Sequence, residues 1–338
     1  MKKRIAILGS TGSIGKSLLK ILKKDKKNFH VTLLTAHKNY KTLIKQVKFF
    51  NVKNIIITDH GSYSILKNYY KYKKINIYNN FDNLKKIFVK KNDFIMSSIS
   101  GLEGLKPTLL SIAFTKNILI ANKESIICGW GLIKKKLNKY KVKFSPIDSE
   151  HFSIWSLVDH NINNYKNIEQ IYITASGGPF YNLPITRFKK ITPHQALKHP
   201  NWNMGKKISI DSATMMNKVF EVIEAKNIFN IPYNDIKVLI HTKSYLHAIV
   251  KFKNGITKLL IHDTSMEIPI FNSIYNDNLK TLKSSPLDTN KINNLNLNEI
   301  DLKKFPSQKI LKLLPKKHSL FETVLLSSND EAVSQFLN

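Results

Sequence analysis

Short β-branched runs alternate with amphipathic, lysine-rich stretches through the first half of the chain, the pattern of successive βαβ units around a parallel sheet. Strands are predicted at residues 4–8, 31–36, 54–57, 93–96 and 117–121, with helices between them. After Phe144-Ser145-Pro146 the texture changes. Strand-like runs at 171–174, 237–241, 248–253 and 256–261 predict a second sheet, with Asn254-Gly255 as the turn of a hairpin. Residues 276–298, rich in Asn, Lys and Ser, read as a linker, and short helical segments at 306–314 and 320–326 follow. No internal repeat interrupts this plan.

Composition narrows the class. A length of 338 residues with 42% hydrophobic positions predicts a globular protein of two or three domains. No apolar run approaches the ~18 residues that span a bilayer, and the apolar stretch after Met1-Lys2-Lys3-Arg4 is too short for a signal peptide, so the cytosol is the expected location and no membrane partner is expected. Cys128 is the single cysteine, which excludes an internal disulfide and a thiolate zinc site. The net charge of +31 raises nucleic acid as a partner, but its make-up argues against a specific one. Arg4 and Arg187 are the only arginines, whereas base readout and phosphate forks favour arginine.

Candidate chemistry begins directly after the first strand. Gly9-Ser10-Thr11-Gly12-Ser13-Ile14-Gly15 precedes a helix expected to open near Ser13. A glycine turn between strand and helix lets backbone approach a pyrophosphate, and the helix N-terminus offers unpaired N–H groups. The spacing departs from the usual Gly-x-Gly-x-x-Gly, so the strand–turn–helix context carries the reading. At the end of the second strand stands Ala36-His37-Lys38-Asn39, where an NAD site usually has an acid. Its absence, with Lys38 and Asn39 available to a 2′-phosphate, predicts NADPH.

Further motifs fall at strand ends and in the second half. Ala121-Asn122-Lys123-Glu124-Ser125 places polar side chains at the carboxyl end of the sheet. In Pro146-Ile147-Asp148-Ser149-Glu150-His151 an extended backbone puts Asp148 and Glu150 on one side. Paired carboxylates without thiolates suggest Mg²⁺ or Mn²⁺, and His151 reads as a packed or exposed histidine rather than a ligand. Ser176-Gly177-Gly178 ends a strand in a turn suited to a phosphate. His199-Pro200-Asn201-Trp202-Asn203-Met204-Gly205 reads as a lid, with Ser212 as a helix cap downstream. Asn217 to Glu221 at i,i+4, and Lys218 to Glu221 to Glu224 at i,i+3, place an amide, a cation and two carboxylates on one helical face.

Taken in this order, the segments closely resemble the 1-deoxy-D-xylulose 5-phosphate reductoisomerase family, with the similarity running from residue 1 to about 275. The resemblance implies an α/β protein with an N-terminal Rossmann-like dinucleotide-binding domain (1–146), a central α+β catalytic domain (147–275), a linker (276–300) and a shortened C-terminal helical region (301–338). It implies an enzyme of non-mevalonate isoprenoid biosynthesis that rearranges 1-deoxy-D-xylulose 5-phosphate and reduces the intermediate with NADPH to 2-C-methyl-D-erythritol 4-phosphate. One divalent ion, Mg²⁺ or Mn²⁺, would be held by Asp148, Glu150 and Glu221. Thr11, Gly12, Ser13 and Ile14 would hold the cofactor phosphates, Lys38 and Asn39 its adenosine end, and Asn122, Glu124 and Gly205 its remaining contacts. Lys123, Ser149 and Glu150 would meet the substrate backbone, with Ser176, His199, Ser212, Asn217 and Lys218 on its phosphate. Trp202 and Met204 would belong to the closing loop. A homodimer joined through the central domain is implied, active although less stable for its shortened end. A dehydrogenase of another class or a decayed paralogue that only binds ligand are the rival readings. His37 stands where the family usually has Gly, Thr242-Lys243 where it has Pro-Gln, and Asp263-Thr264-Ser265-Met266-Glu267 in place of a Pro-Asp-Met-Arg stretch.

Overall fold

The structure, a computed structural model, describes residues 1–160, 162–202, 204–275, 280–317 and 319–338. Asn203 of the expected lid and residues 276–279 of the expected linker lie outside these. Two compact units share the chain, Met1–Ile147 with Pro269–Lys280, and Asp148–Ile268 with Thr281–Asn338.

In the first unit seven parallel strands run in the order β4-β3-β2-β1-β5-β6-β7. They are β1 (Lys3–Leu8), β2 (Phe29–Ala36), β3 (Asn54–Ile57), β4 (Asn76–Tyr78), β5 (Asn92–Ser97), β6 (Thr115–Ile120) and β7 (Lys143–Pro146). Between them lie α1 (Ser13–Lys24), α2 (Tyr40–Phe50), α3 (His60–Tyr69), α4 (Leu84–Ile87), α5 (Leu105–Ser111) and α6 (Lys123–Tyr140). Central β1 buries Ile5, Ala6, Ile7 and Leu8 completely, as a parallel strand covered on both faces must. α1 turns Leu18, Leu19, Ile21 and Leu22 into the core and ends with Lys23 and Lys24, which oppose the negative end of the helix. The strand order reverses between β1 and β5, and ligands of open α/β sheets bind outside the carboxyl ends at such a point.

All five predicted strands of this half exist; the two edge strands, β4 and β7, escaped the pattern. β4 is three residues long and β7 ends in Pro146, a residue tolerated where one backbone edge needs no partner.

The second unit contains a mixed sheet ordered β11-β10-β8-β9, from β8 (Ile168–Ala175), β9 (Ile236–Ile240), β10 (Leu246–Phe252) and β11 (Thr257–Ile261). β8 pairs with β9 in parallel and with β10 antiparallel; the β10–β11 hairpin turns at Asn254-Gly255, where Gly255 has a φ of +85°. The remaining helices are α7 (Ser149–Leu157), α8 (Pro193–Ala196), α9 (Lys206–Ala213), α10 (Met216–Phe229), α11 (Glu267–Ile274), α12 (Thr289–Asn293) and α13 (Phe321–Leu337).

Packing draws the boundaries differently from the sequence pattern. Residues 269–275 belong with the first unit: the Tyr275 hydroxyl donates to Asp25 Oδ2 at 2.7 Å and its ring meets Phe29 edge-on. The expected linker contains α12 and a bridge from Asn298 to Ile240. The C-terminal segment is part of the second unit's core, because Phe305 packs with Ala175, Met215 and Ile240, and Val333 with Phe180, Ile210 and Ala213. No described helix is long and apolar enough to cross a membrane.

Candidate active site

In the first unit the glycine loop joins β1 to α1 at the switch point. Gly9 has a φ of +85°, and a β-carbon there would lie 2.6 Å from Ser98 O; one on Gly15 would lie 2.4 Å from Gly9 O. Both glycines therefore serve close backbone packing. Gly12 precedes α1 without any side-chain cap, which leaves the first N–H groups of the helix to an outside acceptor. Thr11, Gly12, Ser13 and Ile14 are all at least partly exposed around this terminus.

Lys38 and Asn39 follow β2 at the surface, and Asn39 caps α2 by accepting from Thr42 N at 3.1 Å. His37 Nδ1 lies 2.9 Å from Thr58 Oγ1. An acid the sequence pattern did not place here, Asp59 after β3, comes within 4.0 Å of Lys38 Nζ. Its carboxylate is engaged by the Ser62 N–H and hydroxyl at 2.9 and 2.7 Å, which hold its pKa below the usual range. At the end of β6, Asn122 caps α6 through Ser125 N and donates to Ile99 O at 2.7 Å, Gly101 O at 3.0 Å and Glu124 Oε2 at 2.7 Å. Lys123 opens that helix.

The second unit collects the acidic residues. Among the described residues Asp148, Glu150 and Glu221 bring carboxylate oxygens within 4.8 Å of one another. The common side of Asp148 and Glu150 has a different origin from the one expected. Asp148 is the N-cap of α7, accepting from Glu150 N at 3.2 Å and His151 N at 3.4 Å, so the pair converges through a helix start rather than an extended segment. Ser149 donates to Glu150 Oε2. Glu221 arrives from α10, where Asn217 donates to it across one turn as the spacing predicted.

Lys218 also reaches this cluster, contacting Glu150 Oε1 and lying 2.6 Å from Glu221 Oε2. Burial alone lowers an ammonium pKa, but the two carboxylates outweigh it and hold Lys218 protonated above its ordinary value. The i,i+3 spacing announces Lys218 beside Glu221; its reach to Glu150 comes from the fold. His151, fully buried, spans the cluster from below, with Nδ1 3.1 Å from Asp148 Oδ1 and Nε2 2.9 Å from Glu221 O. Of the two alternatives the sequence left for it, packed or exposed, His151 is the packed one, with its ring nitrogens directed at residues of the cluster.

The neutral part of the site lies at the end of β8. Ser176 Oγ accepts from Gly178 N at 3.1 Å and is 3.0 Å from His199 Nε2. His199 Nδ1 accepts from Asn201 N and Trp202 N at 3.1 and 2.9 Å, so the ring proton sits on Nε2 and points at Ser176. Burial, and after it the Lys218 charge, lower this imidazole to a pKa of about 4, so it is neutral near pH 7. Gly178, with a φ of +67°, packs so closely that a β-carbon would fall 2.7 Å from Ser212 O. Ser212 itself lies inside α9 and does not cap the next helix, because α9 and α10 are joined by the left-handed residue Met215. A cavity of about 490 Å³ opens here, lined by Ser176, Gly178, Tyr181, Gln195, Lys198 and Thr242 among others.

Trp202 and Met204 precede α9, whose N-cap Gly205 has open space at its α-carbon. Asn201 ties the segment expected as a lid to the turn before β10, donating to Thr242 O at 2.7 Å and Ser244 Oγ at 2.8 Å. The Trp202 ring stands edge-on to His247, 6.3 Å away, and His247 stacks on His262 at 3.6 Å. Burial holds both of those imidazoles below the usual pKa. His247 lies at the start of β10 and His262 just after β11, each one residue outside a predicted strand run, and their stacking joins positions 15 residues apart that no local motif connects.

Comparison with known proteins identifies the family. The family description "1-deoxy-D-xylulose 5-phosphate reductoisomerase" matches residues 5–130, its C-terminal domain description residues 144–229, and a further "DXP reductoisomerase C-terminal domain" residues 262–338. Similarity thus continues past residue 275, where the motifs alone had left it. A 1-deoxy-D-xylulose 5-phosphate reductoisomerase of Pelagibacter ubique (strain HTCC1062) is 63% identical over 99% of this chain and 87% of its own. The reductoisomerase of Zymomonas mobilis in complex with NADPH superimposes with a TM-score of 0.89 at 32% identity, covering 99% of this chain and 86% of that one. A DOX-P reductoisomerase in complex with NADPH, fosmidomycin and magnesium does so with a TM-score of 0.90 at 31% identity, covering 99% and 85%.

Proposed function

The chain belongs to the 1-deoxy-D-xylulose 5-phosphate reductoisomerase family, and from that premise we propose how its residues divide the work. The enzyme is an NADPH-dependent oxidoreductase that uses a divalent ion to isomerise 1-deoxy-D-xylulose 5-phosphate and reduces the product to 2-C-methyl-D-erythritol 4-phosphate. The observation that carries the division is the chemistry of the two donor sets. One is an uncapped helix terminus behind a glycine turn; the other is a trio of carboxylates beside hydroxyls, an amide and a neutral imidazole.

Thr11, Gly12, Ser13 and Ile14 would receive the cofactor pyrophosphate on the N–H groups of α1. Lys38 and Asn39 would meet the 2′-phosphate, and Asn122, Glu124 and Gly205 the rest of the nucleotide. Asp148, Glu150 and Glu221 fit a hard divalent cation, since all three offer carboxylate oxygen and stand close enough to converge on one ion. When bound, that ion polarises the substrate oxygens and stabilises negative charge on them. Lys123, Ser149 and Glu150 would orient the sugar backbone. Ser176, Ser212, Asn217 and Lys218 would donate to the phosphate, together with the Nε2–H of His199. A neutral imidazole donates here without needing a proton from solution. Trp202 and Met204 would close over the substrate and exclude water.

We place the enzyme in the cytoplasm, as a homodimer with neither nucleic acid nor membrane as partner. Against the reading as a ligand-binding relic stands the sequence itself, in which every proposed metal and phosphate ligand is present. Incubation with substrate, NADPH and Mg²⁺ or Mn²⁺, with the product identified by mass spectrometry, tests the whole reading. NADPH oxidation with formation of the branched phosphate is expected. Bound NADPH without turnover would favour the relic.

A further inference from the structure

Three of the proposed phosphate ligands, Ser212, Asn217 and Lys218, come from two helices that meet at a corner. Ser212 lies in the last turn of α9, and Asn217 and Lys218 lie in the first turn of α10. Between them Met215 adopts a φ of +61°, a conformation that a side chain disfavours and that persists when neighbours fix it. Its peptide groups connect the two sides. Met215 N donates to Ser212 O at 3.1 Å, and Met215 O accepts from Lys218 N at 3.1 Å.

What holds this corner comes from near the end of the chain. Gln308, only 4% exposed, donates from Nε2 to the same Met215 carbonyl at 2.7 Å. Its neighbour Ser307 donates to Thr214 O at 2.7 Å. α13 holds the preceding turn: Asn329 Nδ2 donates to Asp211 Oδ1 at 2.7 Å, and Lys207 Nζ lies 2.9 Å from Asp211 Oδ2 and 3.0 Å from Asp330 Oδ1. In the first turn of α13, Glu322 Oε1 accepts from the Tyr233 hydroxyl at 3.1 Å and stands 3.9 Å from Lys226 of α10. The corner is thus gripped by Gly178 on one side and by the C-terminal segment on another.

We propose that Gln308, seconded by Asn329, is a positioning residue for recognition of the substrate phosphate. It fixes the peptide that sets Ser212 against Lys218, so these groups converge on one dianionic monoester without Gln308 touching it. A buried carbonyl that loses one of its donors is left under-satisfied, and the strained residue that carries it can relax. The proposal rests on the reading of Ser212, Asn217 and Lys218 as phosphate ligands.

The test compares substrate with its unphosphorylated counterpart, 1-deoxy-D-xylulose. Gln308→Met keeps the length of the side chain and removes the donor. We expect KM for the phosphorylated substrate to rise about 10-fold, and fosmidomycin affinity to fall by a similar factor, with kcat less affected. KM for NADPH, the Mn²⁺ dissociation constant and the low kcat/KM for the unphosphorylated sugar should stay within about twofold of the parent. Asn329→Ala and Ser307→Ala, each removing one outlying bond, should give the same selective loss at smaller size, and they carry the test if Gln308→Met does not fold. Equal losses on both sugars, or no loss on either, in a parent enzyme that itself prefers the phosphorylated one would overturn the role of Gln308 alone. A parent indifferent to the phosphate would remove the cradle, and this proposal with it.

Discussion

The glycine loop after β1 and the carboxylate cluster around α10 solve the same problem, holding a charged ligand, by opposite means. The loop is backbone: its hydrogen-bond donors are the free N–H groups of α1, it faces solvent, and Gly9 and Gly15 are there because Ser98 and Gly9 leave no room for a β-carbon. The cluster is side chain: Asn217, Lys218, Glu221 and Glu224 are all buried, and each needs a partner. A backbone site depends on shape and tolerates changes around it, whereas a buried charged site depends on balance and fails when one member goes.

Asp148→Asn should separate the two most sharply. With one carboxylate neutralised, kcat/KM is expected to fall ~1,000-fold, about 4 kcal/mol of transition-state stabilisation, while the dissociation constant for NADPH stays unchanged. Weaker NADPH binding measured by fluorescence titration would show that the two sites are not independent.

Lys218→Met probes the balance within the cluster. In the absence of divalent ion, Glu150 and Glu221 would lose their ammonium partner, and a loss of about 3 kcal/mol in unfolding free energy is expected. Mn²⁺ should restore more stability to the variant than it adds to the parent. Denaturant titrations with and without the ion read this directly; equal effects of Mn²⁺ on both proteins would contradict it.

On the backbone side, Gly9→Ala places a β-carbon 2.6 Å from Ser98 O at a φ of +85°. The strain should cost about 2 kcal/mol of stability and weaken NADPH at least ~10-fold. Mn²⁺ affinity should not move.

How much of this contrast is legible in sequence follows from the same physics. The loop is local, so seven consecutive residues between a strand and a helix announce it, and the predicted start at Ser13 is where α1 begins. The order of residues in α10 also announces its Asn217–Glu221 contact. The pairing of Lys218 with Glu150 spans 68 residues, the His151 bridge to Glu221 spans 70, and the hold of Gln308 on Met215 spans 93. No periodicity encodes such distances. Ser212 was misread as a cap for a related reason, because the true joint relies on a left-handed Met, which propensity does not predict. The short edge strands β4 and β7 carried too few residues to alternate.

Trp202→Ala tests the lid at smaller scale. Losing the ring that stands against His247 should raise the substrate KM about 10-fold, or ~1.4 kcal/mol, and leave NADPH affinity intact. An unchanged KM would return Trp202 to a packing role.

The smallest effect concerns pH. His199, His247 and His262 all have native pKa values below 6.5, so the unfolded chain binds protons that the native state refuses. Their contribution to stability is complete above about pH 6.5 and is lost as pH falls toward 4. Thermal melts across that range should show the decline, and a His199→Gln variant, which cannot take up the proton, should show less of it.

The central claim, that cofactor and metal are held by two independent sets of residues, is tested most directly by a pair of binding titrations on the same two variants. NADPH and Mn²⁺ affinities would be measured on Gly9→Ala and on Asp148→Asn. The account predicts a crossed result, with NADPH binding weakened only in the first and Mn²⁺ binding only in the second. Loss of both ligands in both variants would contradict it.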